Sequence, residues 1–505
     1  MSKKLFAALA VLLCLAACAC LPQCALAQEE LRTAVEFDEF RAFVPEGSGV
    51  RFRGKLAADR PISKVVAECY EMRSLEKVGE HIWQAEEGAE PVYQLDLYPM
   101  RRDLFPSNKP GDYRVVITVE SGEDSAVALD RRIFIGGDQL APRNMNEDCT
   151  FDCEEMKLRH WSDGRVVSRW QPGSAEEVLT VTLPQGRAAE GIAVNWYEIP
   201  RQASIRCLDA SGALLLEHVI DGNTFTPLHA WYPLPEETAS VQVSIAGGEA
   251  AISELLVIEQ DKRAQAVQLW RETAEKWDMM LVSTHQDDEH LFFGGMISQT
   301  VARGKEIGLV YMADCGRDRY TEALDGLWAA GMDNYPVFMG YRDSLTKSKS
   351  SAYKLWDGED AVVGALVEQI RKYRPEVVVT HDFNGEYEHN QHKVTAECVT
   401  KAVFLAHDPS YQPETAEQYG AWTVKKLYIH LYEEQVLTLD WDAPIEGFGG
   451  MTGYDISQMC YSFHRSQQEL VRFSLGLSYD PESFGLYYTV VGLDSGKGDL
   501  FENID

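Results

Sequence analysis

Eight of the twelve histidines fall between residues 285 and 464, and two groups among them stand beside carboxylates. The first is His285-Gln286-Asp287-Asp288-Glu289-His290. The second runs from His381-Asp382 through Gly385-Glu386-Tyr387 to His389-Asn390-Gln391-His392. Imidazole nitrogens and carboxylate oxygens are the donors of catalytic zinc sites, which use three protein ligands and keep a fourth position for water. His389 and His392, three apart at a helix start, share a face. One imidazole from there, with an imidazole and a carboxylate from the first cluster, makes such a site. A neighbouring carboxylate outside the ligand set is what general-base activation of that water needs. Alone, either cluster reads equally well as helix-capping acids with solvated companions. Together, at two strand ends of one α/β unit, they read as chemistry.

The elements that must position them follow from hydrophobic patterning. Continuous Val/Ile/Leu runs at 279–284, 307–312 and 376–380 predict strands. Helices are predicted over 295–303, over 320–330 with Gly331 as the stop, and over 361–373 ahead of Pro375; a charged helical stretch is expected at 261–277. Buried strands alternating with helices give a mostly parallel sheet covered on both faces, a three-layer, Rossmann-like α/β catalytic domain over about 270–505. Both histidine clusters then lie at C-terminal strand ends, where open α/β sheets bind ligands. No Gly-x-Gly-x-x-Gly or Walker loop follows any strand, which argues against dinucleotide or P-loop chemistry.

Upstream the texture is all-β. Residues 28–137 carry short alternating strands between Gly, Pro and Asp turns and predict an immunoglobulin-like β-sandwich. A polar stretch from Gly136 to about Asn146 reads as a linker. Residues 148–260, with Asp163-Gly164, Trp170 and Asn195-Trp196, resemble a discoidin-type (F5/8 C, galactose-binding-like) jelly roll. Its tryptophans serve a sandwich core as readily as a sugar. The fold class is thus multidomain, two N-terminal β-sandwiches followed by the α/β unit.

Composition narrows the partners. Of 505 residues 79 are acidic and 47 are Lys or Arg, a formal net charge of −32 with no basic stripe, so nucleic acid is not expected as a partner. Lys3-Lys4, the apolar run 5–21 and Ala25-Leu26-Ala27 read as an export signal over 1–27. Leu15-Ala16-Ala17-Cys18 resembles a bacterial lipobox; cleavage there would leave an acylated Cys18 as membrane anchor, whereas cleavage after Ala27 would release a soluble chain. No later run of about 18 apolar residues predicts a transmembrane helix. The expected location is extracellular or at the cell surface. The oligomeric state is not legible.

The strand followed by His285-x-Asp287-Asp288-Glu289, then Arg319-x-x-Glu322, Gly340-Tyr341-Arg342-Asp343, and Thr380-His381-Asp382 with His389-x-x-His392, resembles the PIG-L/LmbE-like family of zinc-dependent N-acetylglucosamine deacetylases. The resemblance covers about 278–405. It implies His285, Asp288 and His392 as metal ligands for Zn2+ (Fe2+ is the other divalent ion such a ligand set accepts), and Asp287 as the general base. It implies His389 as oxyanion stabiliser and acid toward the leaving amine, Tyr387 as a second donor to the carbonyl, and Arg319 and Asp343 as sugar contacts. The substrate implied is a glycan bearing N-acetylated amino sugars, outside the cell. The alternative is a surface adhesin whose deacetylase-like module is inactive.

The chain departs from that family's pattern at Gln286, where proline is usual, which predicts a less rigid loop. It departs again at Glu388, Asn390 and Gln391, which replace Gly, Pro and Asp. The usual Asp orients and charges the catalytic histidine; a neutral Gln391 cannot, and Glu388 is the carboxylate at hand to substitute. His464-Arg465-Ser466-Gln467 also resembles a late family motif, with His464 expected near the substrate mouth or, equally, packed on a helix face.

Overall fold

The computed structural model describes residues 31–40, 43–45, 52–71, 76–84, 91–96, 111–136, 144–152, 156–174, 176–246, 250–263, 267–448, 451–467, 478–495 and 498–504. The expected export signal and Cys18 lie outside them. The chain divides into two compact units, Met1–Gly137 and Asp138–Asp505.

In the first unit, a three-stranded sheet (Thr33–Phe40, Phe52–Ala58, Val92–Asp96) and a five-stranded one (Phe43–Pro45, Lys64–Glu71, Glu76–Gln84, Gly111–Ser121, Asp124–Gly136) share one apolar cluster. Alternate residues Val115, Ile117 and Val119 point into it and meet Leu56, Val65 and Ala67, the period-2 pattern of a half-buried strand.

The second unit opens with two further antiparallel sheets. One runs in the spatial order Leu214–Ile220, Ala203–Leu208, Ser240–Ile245, Val178–Thr182, Thr150–Asp152; the other is His229–Pro233, Ala189–Glu198, Ala251–Glu259. Trp161, Trp170 and Trp196 are all buried, so these tryptophans are core. The end of the expected linker is part of this layer. Asn146 is buried, donates to the Leu255 carbonyl at 2.8 Å and accepts from the Val257 amide at 2.8 Å.

The helix expected at 261–277 does not form among its described residues. The segment is an extended connector whose propensity is overridden by tertiary pairing. Arg271 donates its amide to the Asp333 carbonyl at 3.0 Å and accepts from the Tyr335 amide at 3.2 Å, and Trp270 packs edge-on against Trp328 and Tyr335.

The α/β part then builds strands β1 (Met279–Ser283), β2 (Ile307–Asp314), β3 (Val337–Arg342), β4 (Val377–Thr380), β5 (Lys426–His430), β6 (Val436–Thr438) and β7 (Ser483–Thr489). Their order is β3-β2-β1-β4-β5-β7-β6. The first five are parallel and β7 runs antiparallel to both neighbours. Helices α1 (Asp288–Phe292), α2 (Gly294–Ala302), α3 (Arg317–Ala329), α4 (Glu359–Tyr373), α5 (Asn390–Leu405) and α6 (Gly453–Tyr461) cover the sheet. Val362, Val363, Leu366, Val367 and Ile370 line one stripe of α4 and meet Val394, Cys398, Val399 and Ala402 of α5 over the strands, the spacing of an amphipathic helix. Strand order reverses between β1 and β4, so the crevice beyond their C-terminal ends is where such a sheet takes a ligand.

Candidate metal centre

Both histidine clusters emerge into that crevice, one from β1 and one from β4. The two strand ends are tied together. Thr380 Oγ1 donates to the Val282 carbonyl at 3.0 Å, Thr284 Oγ1 meets Thr395 Oγ1 at 2.9 Å, and the Thr284 amide donates to His381 Nε2 at 2.9 Å.

Across this junction three donor atoms converge. His285 Nδ1, Asp288 Oδ2 and His392 Nε2 stand 3.1 Å from one another in every pair. Three ligands held tetrahedrally at about 2.0–2.2 Å from zinc stand about 3.3–3.6 Å apart, so the triangle fits a divalent cation with small adjustment. All three residues are buried. Other combinations of donors also lie within 4.8 Å, namely His285, His389 and His392; Asp288, His381 and His392; and Glu289, His290 and His464. His381 Nε2 is already occupied by the Thr284 amide, and Glu289 and His464 form an ion pair at 2.8 Å. Of the two groups left, the His285–Asp288–His392 triangle is the one that joins a carboxylate to two imidazoles, and it is the candidate cation site.

The charges agree. Burial works against an imidazolium at His392, but the Asp288 and Glu386 carboxylates outweigh it and lift its pKa to about 9. His285 is likewise raised by Asp288 against its burial, and Asp288, though buried, is held well below the usual carboxylate range by the two imidazoles. Without a cation the triangle holds a proton in its place.

Glu386, which sequence reasoning passed over, organises the far side. Fully buried, its Oε2 accepts from His392 Nδ1 and His381 Nδ1 at 2.8 Å each. Its Oε1 accepts from His430 Nδ1 at 2.6 Å and from the Asp382 amide at 3.2 Å. With Nδ1 of His392 donating to a carboxylate, Nε2 is left as the ligand atom, the arrangement that orients metal-bound imidazoles. The signal was present in sequence only as a carboxylate inside a histidine-rich stretch. Gly385, which has φ of 68° and whose added Cβ would stand 2.5 Å from the His389 carbonyl, lets the chain turn tightly enough to bring Glu386 beneath the rings.

Asp287 stands beside the triangle with φ of 152°, a conformation an L-residue holds only when its surroundings impose it. Its amide donates to Glu289 Oε2 at 2.8 Å, and its carboxylate pairs with Arg319 at 2.6 Å. Burial and the adjacent Asp288 push its carboxyl up to about 7 while Arg319 pulls the other way. The loop is not loosened by the missing proline. Gln286 is buried, donates Nε2 to the Ala313 carbonyl at 2.8 Å and accepts from the Cys315 amide at 3.3 Å.

The remaining expected residues sort as follows. His389 lies with its ring centre 4.8 Å from those of both His285 and His392, its pKa lowered to about 4 by burial and by those two rings. Gln391 does not reach it, and among the described residues no side-chain hydrogen bond joins Glu388 to it. Tyr387, half exposed, sits in left-handed backbone (φ 56°, ψ 25°) with its ring against Phe292 and Tyr479. Arg319 is spent on Asp287 and on the Gln286 carbonyl, which its Nε meets at 2.7 Å, rather than standing free for a sugar; its helix neighbour Glu322 instead takes the Ser466 amide and hydroxyl at 2.8 and 2.7 Å. Asp343 is on the rim, 3.4 Å from His285 Nε2. His464 is fully buried under the base loop, paired with Glu289, and so does not line the mouth. Its neighbour Arg465 donates to the Gly164 carbonyl of the preceding β layer at 2.6 Å.

Residues 280–403 match the family model described as PIG-L, GlcNAc-PI de-N-acetylase. Two curated relatives are 1D-myo-inositol 2-acetamido-2-deoxy-alpha-D-glucopyranoside deacetylases. The one from Geodermatophilus obscurus is 29% identical over 178 residues, 30% of this chain and 60% of the relative; the one from Mycolicibacterium smegmatis is 33% identical over 178 residues, 30% and 58%. The chain thus spans about three fifths of the length of these relatives. Among solved structures, N,N'-diacetylchitobiose deacetylase from Pyrococcus horikoshii is similar at 19% identity and a TM-score of 0.30, covering 38% of this chain and 71% of that one. The α/β part is therefore similar to a de-N-acetylase domain.

Proposed function

We propose that the protein is an exported, zinc-dependent amidohydrolase that removes the acetyl group from N-acetylglucosamine-type sugars of a glycan outside the cell. The observation that carries this reading is the His285–Asp288–His392 triangle with Asp287 held beside it. The family match and the relatives' names supply the acyl group and the sugar class. A divalent cation held by the triangle supplies Lewis acidity toward a carbonyl and acidifies water to a pKa of about 7.

The protein's own groups do the rest. Asp287, with a carboxyl near neutrality, accepts the proton of the attacking water. Neutral His389 donates an N–H toward the oxygen that gains charge, and Tyr387 is the second donor at the open side. Protonated Asp287 returns its proton to the leaving nitrogen as the C–N bond breaks, giving acetate and a free amine. The leader at 1–27, with cleavage before Cys18 as the anchoring route, puts the enzyme at the cell surface; the two β layers hold it on its glycan. No described helix is long and apolar enough to cross a membrane.

Acetate release from a panel of N-acetylglucosamine oligomers by the mature protein, abolished by chelation and by Asp287→Ala, is the expected result. Glycan binding that persists without metal and without hydrolysis would favour the adhesin, a reading that draws on the carboxylate missing beside His389.

A further inference from the structure

Which nitrogen of His285 faces the triangle is decided elsewhere, by an amide. Gln391 is fully buried in the first turn of α5. Its Nε2 lies 2.9 Å from the Arg342 carbonyl, which also accepts from Trp356 Nε1 at 3.0 Å. A carbonyl only accepts, so the amide nitrogen must point there and the amide oxygen must point the other way. That oxygen lies 3.1 Å from His285 Nε2. An amide oxygen also only accepts, so Nε2 carries a hydrogen, and Nδ1, 3.1 Å from both Asp288 and His392, is the nitrogen left to face a cation, or a proton in its absence. Trp356 is itself fully buried, so the carbonyl at the head of this chain of contacts is fixed.

We infer that Gln391 is a positioning residue of the metal centre, selecting Nδ1 of His285 as ligand through the chain Trp356, Arg342 carbonyl, Gln391, His285. At this position a carboxylate would add a second negative charge beside Asp288. The amide orients the ligand and leaves the charge of the triangle unchanged. The other acceptor facing Nε2 among the described residues is the Asp343 carboxylate, longer at 3.4 Å and partly exposed. The inference rests on the metal reading of the triangle.

Zinc competition against a chromophoric chelator on the full mature chain tests it, with the His285 ring nitrogens followed by 15N NMR. Gln391→Leu removes both contacts and is expected to lower zinc affinity about 10- to 100-fold, the usual cost of losing such an outer partner, and to mix the two His285 tautomers. Gln391→Glu keeps an acceptor toward His285 and is expected to restore the Nε2–H tautomer. Asp343→Asn is expected to leave both readouts near wild type. Wild-type zinc affinity and an unchanged tautomer in Gln391→Leu overturn the inference, as does a loss carried by Asp343→Asn instead. If Gln391→Leu does not fold, Gln391→Asn, whose shorter side chain cannot span both partners, must give the same loss. A wild-type chain that takes up no divalent cation overturns the metal reading itself, a distinct result.

Discussion

Replacing Glu386 by glutamine tests the architecture beneath the metal centre at nearly constant volume. The carboxylate accepts four hydrogen bonds, two on each oxygen, from His392 and His381 on one side and from His430 and the Asp382 amide on the other. An amide keeps one acceptor oxygen and turns the other position into a donor. Whichever way it settles, two buried N–H groups face an NH2, at about 1–3 kcal/mol each, so the loss is about 2–6 kcal/mol. For a folded part of 150–250 residues each kcal/mol moves the melting point by about 2–4 °C, which puts the fall on the order of 10 °C. Zinc affinity should fall about 10- to 100-fold as His392 loses its orienting partner. The pH dependence has a definite sign. Burial opposes ionisation, but the three histidines hold the Glu386 pKa well below the usual glutamate value. Its stabilisation is therefore complete above about pH 4.3, the unfolded value, and fades as pH falls towards the folded one, so the gap between wild type and variant should close under acid. Thermal unfolding from pH 3 to 8 with chelator competition at pH 7 reads all three effects. A Glu386→Gln protein that melts within a degree of wild type and binds zinc equally well would refute the reasoning.

Other outcomes follow from the same geometry. Asp287→Asn should retain zinc, measured by metal analysis, while acetate release drops about 10²- to 10⁴-fold, the range for losing a general base. Arg319→Ala removes the cation that pulls the Asp287 pKa down, so the acid limb of the kcat/KM profile should move to higher pH, with activity lost more severely at pH 6 than at pH 8. Metal binding must displace the proton that His392, with a pKa of about 9, holds in the metal-free protein. Apparent zinc affinity should therefore rise by up to about tenfold per pH unit from pH 6 towards 9, with proton release visible by calorimetry in buffers of different ionisation enthalpy.

Strands β1, β2 and β4 were legible because they are buried on both faces and so read as unbroken apolar runs, whereas β3, β6 and β7 carry exposed or half-buried positions and gave no such run. The two histidine clusters were legible because both follow such runs. What escaped depends on contacts between distant parts of the chain. The 261–277 segment has helical composition but pairs its backbone with 333–335. Glu386 looks like a surface acid in sequence, and only folding shows it surrounded by three imidazoles. Gln391 reads as the loss of a charge beside His389, whereas the amide turns to His285 instead. His464 carried a motif-like signal yet ends under the base loop, because its partner Glu289 lies 175 positions earlier and no local pattern announces the pairing.

The turn at 464–466 has a consequence for when activity can arise. Glu289 fixes the amide of Asp287, His464 pairs with Glu289, Ser466 closes on Glu322, and Arg465 reaches back 301 positions to Gly164. Metal donors can therefore be in place before the segment that steadies the proton acceptor has docked, and a His464→Ala chain should load zinc yet release little acetate.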